Sequence, residues 1–338
     1  VPVVKTRAIY VRPAAAIMAA TMLAYVGTHA ALAAGPPATQ SQPAPRAADK
    51  RVNAQPKNAR SLPPIVTTAP PRAETSPIAP RGRIYLFRGA LGLIFSRGMD
   101  RLTEKIQRAG MTADVYEFTL CSLITASAIE NYRQDPAPII LIGHSMGGRC
   151  ALQISEKLQT EGIPVSLVVT VDPAHLSPDV PSNVERFINI FLSKDVLGGG
   201  DIKAVQGFPG HYASYDLDQH GEVSHISIDK MDSIHQQLVA KIKEIAATPA
   251  RTEGETAPLR YVVPPKEETE LWDSGMVVAA RAGDTLQTLA AQYHVPLWSL
   301  TQANQVPEST PLTAGQRVVV PRHLLPAAVV AAPVSSGR

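Results

Sequence analysis

A serine between two glycines opens the chemistry of this chain: Gly143-His144-Ser145-Met146-Gly147, with Gly148 following, has the spacing G-x-S-x-G. The apolar run Ile139-Ile140-Leu141-Ile142 precedes it and a helical pattern near 146–160 follows, so Ser145 falls on a strand-to-helix turn. Such a turn is tight enough to strain the serine backbone, and the residues two away on either side must be small. Oγ then stands at a helix N-terminus, where the backbone N–H of Met146 can face a developing oxyanion. A lone serine hydroxyl is a weak nucleophile and needs a base, itself oriented by an acid. Other chemistries lack residues. There is no His-Glu-x-x-His, no Cys-x-x-Cys and no phosphate-binding loop, so neither metal nor cofactor is expected. Gly198-Gly199-Gly200 has no Lys-Ser/Thr after it and reads as a flexible loop over the site.

The elements that must hold Ser145 alternate along 81–247. Ile84–Phe87 reads as a strand, 98–109 as an amphipathic helix closed by Gly110, Ala113–Phe118 as a strand and 122–133 as a helix. Strands at 138–143, Val165–Val171 and Val184–Leu192 follow, and a helix over 229–247 closes the block. Apolar strands alternating with helices predict a mostly parallel sheet covered by helices on both faces.

In elbow, element order and acid–histidine spacing, block 81–247 resembles a small, lidless member of the α/β-hydrolase superfamily, its elbow similar to those of lipases, esterases and thioesterases. The resemblance covers about half the chain and implies a triad in the order serine, acid, histidine. Of nine histidines, His225, in the loop before the closing helix, stands where that fold places its base; His211 and His220 are the other candidates, otherwise solvated loop residues. Asp172 ends the strand at 165–171 and precedes Pro173, while Asp195 follows the next strand. Both positions occur in the superfamily. Asp172 is preferred because its strand is more apolar, hence more central. The second oxyanion donor is expected from the loop after the first strand, at the N–H of Ala90. The implied activity is hydrolysis of a small acyl ester or thioester. A degenerate, non-catalytic fold and a peptide amidase are the alternatives.

A second block, 276–322, reads as a β-α-α-β unit, with Gly283 at a turn and Asp284 or Thr285 capping the first helix. Gly283-Asp284-Thr285-Leu286, Tyr293, Val295, Asn304, Leu312, Gly315-Gln316 and the final Val-x-Val-Pro are similar to LysM domains over their whole length. The resemblance implies binding of peptidoglycan or another N-acetylglucosamine-containing glycan by Gly283, Asp284, Thr285, Asn304 and Leu312. Asn304 has a second reading as a helix C-cap.

The rest of the chain concerns location. Lys5, Arg7 and Arg12 precede an apolar stretch, 14–34, that ends in the small-x-small Ala31-Leu32-Ala33, which reads as an export signal or an uncleaved N-terminal membrane anchor over 1–34. Residues 35–80, rich in Pro, Ala and Gln, read as a disordered linker, 248–275 as a second linker and 323–338 as a tail. Export would place the protein in the periplasm or cell envelope, where Cys121 and Cys150 could either pair or remain two buried thiols. Net charge is +3 without a basic patch interleaved with aromatics, which argues against a nucleic-acid partner.

Overall fold

The computed structural model describes residues 81–247 and 255–324, all within one compact unit. The expected export signal or anchor, the linker at 35–80 and nearly all of the tail lie outside the described residues. Among the described residues no helix is long and apolar enough to cross a membrane.

In chain order the first block runs β1 (Arg83–Arg88), α1 (Gly92–Phe95), α2 (Arg97–Arg108), β2 (Ala113–Glu117), α3 (Cys121–Gln134), β3 (Ile139–His144) and α4 (Met146–Thr160). Then come β4 (Leu167–Val171), β5 (Arg186–Phe191), β6 (His211–Asp216) and α5 (Asp232–Ala247). The C-terminal part adds β7 (Thr256–Ala257), β8 (Leu259–Val262), β9 (Trp272–Ala279), α6 (Leu286–Tyr293), α7 (Leu297–Asn304) and β10 (Arg317–His323). Seven strands form one parallel sheet in the order β2-β1-β3-β4-β5-β6-β8.

Alternation along each strand divides the apolar residues between two layers. Ile84, Leu86, Ile140 and Ile142 face α2 and α5, packing with Met99, Leu102, Leu238 and Ile242. Tyr85, Phe87, Ile139 and Leu141 face α3 and α4, packing with Ile124, Ala128, Ile154 and Leu158. Both faces are covered, as a fully parallel sheet requires, and the strands therefore read as continuous apolar runs.

Two elements depart from the sequence reading. The stretch 248–275, expected as a linker, is structured from Glu255 onward: β8 extends the sheet as its edge strand and β9 starts at Trp272. Trp272 is completely buried in the α2/α5 layer against Tyr215 and Tyr261. The other departure is β6, His-Tyr-Ala-Ser-Tyr-Asp, whose polar residues hid it. They are satisfied by distant partners, His211 Nδ1 meeting Ser274 Oγ at 2.9 Å and Ser214 Oγ donating to Asp201 at 2.6 Å.

The LysM-like part packs its own core, Leu286, Leu289, Leu300, Leu312, Val318 and Val320, under β9 paired antiparallel with β10. It is also fastened to the first block. Arg186 on β5 donates to Asp273 on β9 at 3.0 Å, with both side chains buried. On α7, Gln302 exchanges two 2.9 Å hydrogen bonds with the backbone of Val262, replacing the strand that edge β8 lacks.

Candidate active site

Ser145 sits between β3 and α4 with φ 56° and ψ −123°, the strained conformation of a nucleophile turn. Its glycines are dictated by contact: a Cβ on Gly143 would lie 2.1 Å from the Gly147 carbonyl oxygen, and one on Gly147 would lie 2.1 Å from that of Phe87. Ser145 N–H donates to Val171 O at 3.0 Å and its carbonyl accepts from Ala174, which fixes the turn against β4 and the loop after it.

That loop begins with Asp172, fully buried and at φ 41°. Its Oδ2 lies 2.6 Å from His225 Nδ1 and its Oδ1 accepts the N–H of Leu192 at 3.2 Å. Asp195, the alternative acid, is close as well: one oxygen of each carboxylate and a ring nitrogen of His225 all fall within 4.8 Å. Asp195 Oδ1 accepts the N–H of Leu197 at 2.8 Å, so the direct bond to the imidazole belongs to Asp172. Two carboxylates and a histidine could ligate a cation, yet the 2.6 Å Nδ1–Oδ2 contact is a hydrogen bond with no room for an ion between its atoms. Gly198 is packed rather than loose: a Cβ there would lie 2.2 Å from Asp172 Oδ1, and Gly199 N–H donates to Pro173 O. The expected flexible loop is therefore a wall of the acid's pocket.

The other two histidine candidates lie elsewhere. His211 is buried at the start of β6, the end of the sheet opposite Ser145, held by Ser274 and Asp273. Burial pushes its pKa down to about 4. His220 is buried beside Glu222.

A relay that the sequence did not announce joins the site's loops. His144, the residue before the nucleophile, has its ring 4.8 Å from that of His225 and tilted 41° to it. Its Nε2 lies 2.8 Å from the His225 carbonyl oxygen and its Nδ1 lies 2.7 Å from Ser96 Oγ. Burial first, and the neighbouring His225 next, push its pKa down to about 3, so the ring is neutral. A carbonyl only accepts, so Nε2 carries the proton and Nδ1 accepts from the Ser96 hydroxyl. Ser96 Oγ in turn accepts Gly89 N–H at 3.0 Å. The chain Gly89, Ser96, His144, His225 thus runs from the loop after β1 to the loop carrying the imidazole. A second clamp joins the same elements, Gly98 N–H donating to the buried Asp229 at 2.8 Å. Burial raises the Asp229 pKa to about 6.

Gly89 N–H is taken by Ser96, which leaves Ala90 as the next donor of its loop, and Met146 is the first residue of α4, where helix N–H groups have no intrahelical acceptor. Gly89 itself approaches Ser145, since a Cβ there would lie 2.7 Å from the serine Cβ. Cys121 and Cys150 are joined in a disulfide with Cα atoms 5.7 Å apart, tying the start of α3 to the first turns of α4.

In the LysM-like part, Gly283 takes φ 88° in a turn where Asp284 Oδ2 accepts the N–H of Arg281 at 2.7 Å. Thr285 caps α6. Gly315 N–H donates to Ala280 O at 2.8 Å, which brings the loop before β10 beside that turn. Leu312 is a core residue, and Asn304 spends its amide inside the fold, donating to Leu300 O and Val319 O and accepting from Val319 N–H. Asn304 therefore works as a clamp between α7 and β10.

Comparisons with known proteins agree with this division. Residues 120–186 match a thioesterase domain model and residues 280–321 a LysM domain model. Similar solved structures include a putative hydrolase of the α/β superfamily from Xanthomonas campestris pv. campestris, 18 % identical, covering 49 % of this chain and 98 % of that one at a TM-score of 0.31. An esterase from Pyrobaculum calidifontis is 14 % identical, covering 51 % and 79 % at 0.37. A thioesterase of the prodiginine biosynthetic pathway in Streptomyces coelicolor is 14 % identical, covering 52 % and 91 % at 0.32. Curated proteins gave no match. The chain thus combines an α/β-hydrolase-like parallel sheet with a serine elbow, part of which matches a thioesterase domain model, and a C-terminal segment that matches a LysM domain model.

Proposed function

We propose that the chain is a serine hydrolase that cleaves an ester or thioester through an acyl-enzyme on Ser145, held at the cell wall by its LysM domain. The observation carrying this reading is the 2.6 Å Asp172–His225 hydrogen bond beside a strained serine elbow. Asp172 fixes the proton on Nδ1, so Nε2 presents a lone pair. Oγ of Ser145 adds to the acyl carbonyl carbon as its proton passes to Nε2, and the N–H groups of Met146 and Ala90 face the resulting oxyanion. Collapse breaks the bond to the alcohol or thiol, which leaves with the proton from Nε2. A water molecule then repeats the sequence, the acid is released and Ser145 regains its proton.

The LysM match supports recognition of N-acetylglucosamine-containing glycans, with backbone and exposed atoms of the 281–285 turn and the neighbouring loop before β10 as the contact surface. Wall attachment agrees with the export expected from residues 1–34 and would raise the enzyme's local concentration at the envelope. The test is turnover of short-chain p-nitrophenyl esters and matched thioesters by the full chain and by its Ser145→Ala variant. Turnover that falls by roughly 10³-fold or more in the variant supports the reading. Equal rates in the two chains refute it.

A further inference from the structure

All strands of the main sheet run the same way, so the loops leaving their C-terminal ends gather at the end where Ser145 stands. Nine large apolar side chains are exposed among the described residues, and seven of them, Leu91, Ile94, Leu120, Leu123, Leu176, Val196 and Ile226, lie in the loops or first helical turns that follow β1, β2, β4, β5 and β6, while Val205 lies nearer the start of β6 and Val262 on β8. Ile94 is 66 % exposed, Leu123 65 %, Leu176 70 % and Val196 83 %, and the exposed Ile226 follows His225 in the chain. The loops are held around the serine. Gly89 abuts Ser145, the disulfide ties α3 to α4, His175 Nε2 bonds Val196 O at 3.1 Å and His144 holds the His225 carbonyl.

Charge is sparse around these side chains, and exposed charges, Arg97, Lys194 and Glu222 among them, flank the apolar stretches, Lys194 being paired with Asp218. Residues 89–96, 118–123, 173–178, 196–200 and 223–228 contain no Asp, Glu, Lys or Arg, in a chain with 32 basic and 29 acidic residues. An exposed apolar surface of this kind marks an interaction site. A protein seated on it would cover Ser145, and a wall glycan would meet few groups able to replace its hydration. A lipid surface buries the leucines and valines and at the same time brings an ester carbonyl to the nucleophile.

We infer that the rim around Ser145 docks on the surface of a lipid bilayer, so that the acyl ester hydrolysed is one presented by lipid rather than one free in solution. The inference rests on the proposed role of Ser145 only for what is cleaved; the docking itself needs no chemistry. The scarcity of charge makes the contact mainly apolar and only weakly sensitive to salt.

The experiment places a fluorescent reporter on the rim in the full chain carrying Ser145→Ala, through Val196→Trp and, as a second rim variant, Ile94→Trp. Thr160→Trp, at the C-terminus of α4 and the opposite end of the sheet, is the control, because an N-terminal anchor would carry every variant to the vesicles alike. Vesicles of neutral phosphatidylcholine, with and without brominated acyl chains, are added. The expected result is a blue shift and bromine quenching for both rim variants at low and high salt, with Thr160→Trp unchanged. Rim emission that stays unshifted, that is quenched no more than the control, or that is already blue-shifted in a concentration-dependent way without lipid overturns the docking. The last result would assign the rim to contact between copies of the chain. Fluorophosphonate labelling of the unsubstituted chain reports the catalytic reading separately, so failure of one is distinguishable from failure of the other.

Discussion

Replacing Asp172 with Asn tests how the site is wired, because the structure dictates how the amide must sit. Oδ1 of Asp172 accepts the N–H of Leu192, while Oδ2 faces His225 Nδ1. An asparagine keeps the first bond only by placing its carbonyl oxygen on Leu192, which turns its NH₂ toward Nδ1. The imidazole must then accept at Nδ1 and carry its proton on Nε2, where it can no longer take the proton of Ser145. Loss of one charge-assisted hydrogen bond costs about 1.5–3 kcal/mol, or roughly 10- to 150-fold in rate. The wrong tautomer brings the expected loss in kcat toward ~10⁴-fold, the scale known for such a substitution in serine proteases. Asp195→Asn removes only a charge within 4.8 Å. That residue is half-buried, and at a water-like dielectric the interaction is worth about 1 kcal/mol, so the expected loss is about fivefold. The assay is steady-state kcat and KM on a p-nitrophenyl ester for both variants, with fold checked by circular dichroism. A larger loss from Asp195→Asn than from Asp172→Asn would refute the assignment of the acid and the tautomer argument with it.

Other consequences are equally direct. His144→Phe keeps ring volume but removes the relay, so kcat is expected to fall by roughly 10-fold or more with little change in KM, whereas His144→Gln, able to donate and accept, recovers part of it. Stability should also fall in acid. The folded-state pKa values of His144 and His211, about 3 and about 4, lie below the unfolded value, so the unfolded chain binds protons first as pH drops below about 6.5 and stability is lost down to those values. Asp229, raised to about 6, opposes this, because the folded state takes up its proton before the unfolded one does. Chemical denaturation at several pH values should show the decline, and His144→Phe should flatten it. Trp272→Ala, which empties a fully buried site in the α2/α5 layer, is expected to cost about 3–5 kcal/mol in urea unfolding. A chain ending at residue 247, which lacks β8 and the partner of Arg186, should fail to give a cooperative transition; a normal one would contradict the account of how the C-terminal part packs on the sheet.

Local signals carried most of what could be read from the amino acids. Gly143 follows from a backbone contact four residues away at Gly147, although Gly147 is dictated by the distant Phe87 carbonyl, and the apolar strands announced a buried parallel sheet because each packs on both faces. β6 escaped because its polar residues are satisfied by Ser274, Asp273 and Asp201, partners 63, 62 and 13 positions away or nearly so in the chain, which no local pattern reveals. The strand β8 is four residues in a proline- and glutamate-rich stretch, and it is fixed by pairing with β6 and by Gln302 rather than by periodicity. The role of His144 was hidden for the same reason, since Ser96 and His225 lie 48 and 81 positions away. A leucine in a LysM pattern can be core or contact, and only packing distinguished them for Leu312.

The most direct test of the central claim is covalent. The full chain is treated with a fluorophosphonate probe and the modified peptide is sequenced by mass spectrometry. The account predicts a single stoichiometric adduct on Ser145 that disappears in Ser145→Ala and forms far more slowly in His225→Ala. A folded chain that takes up no probe, or takes it up on another residue, would contradict it.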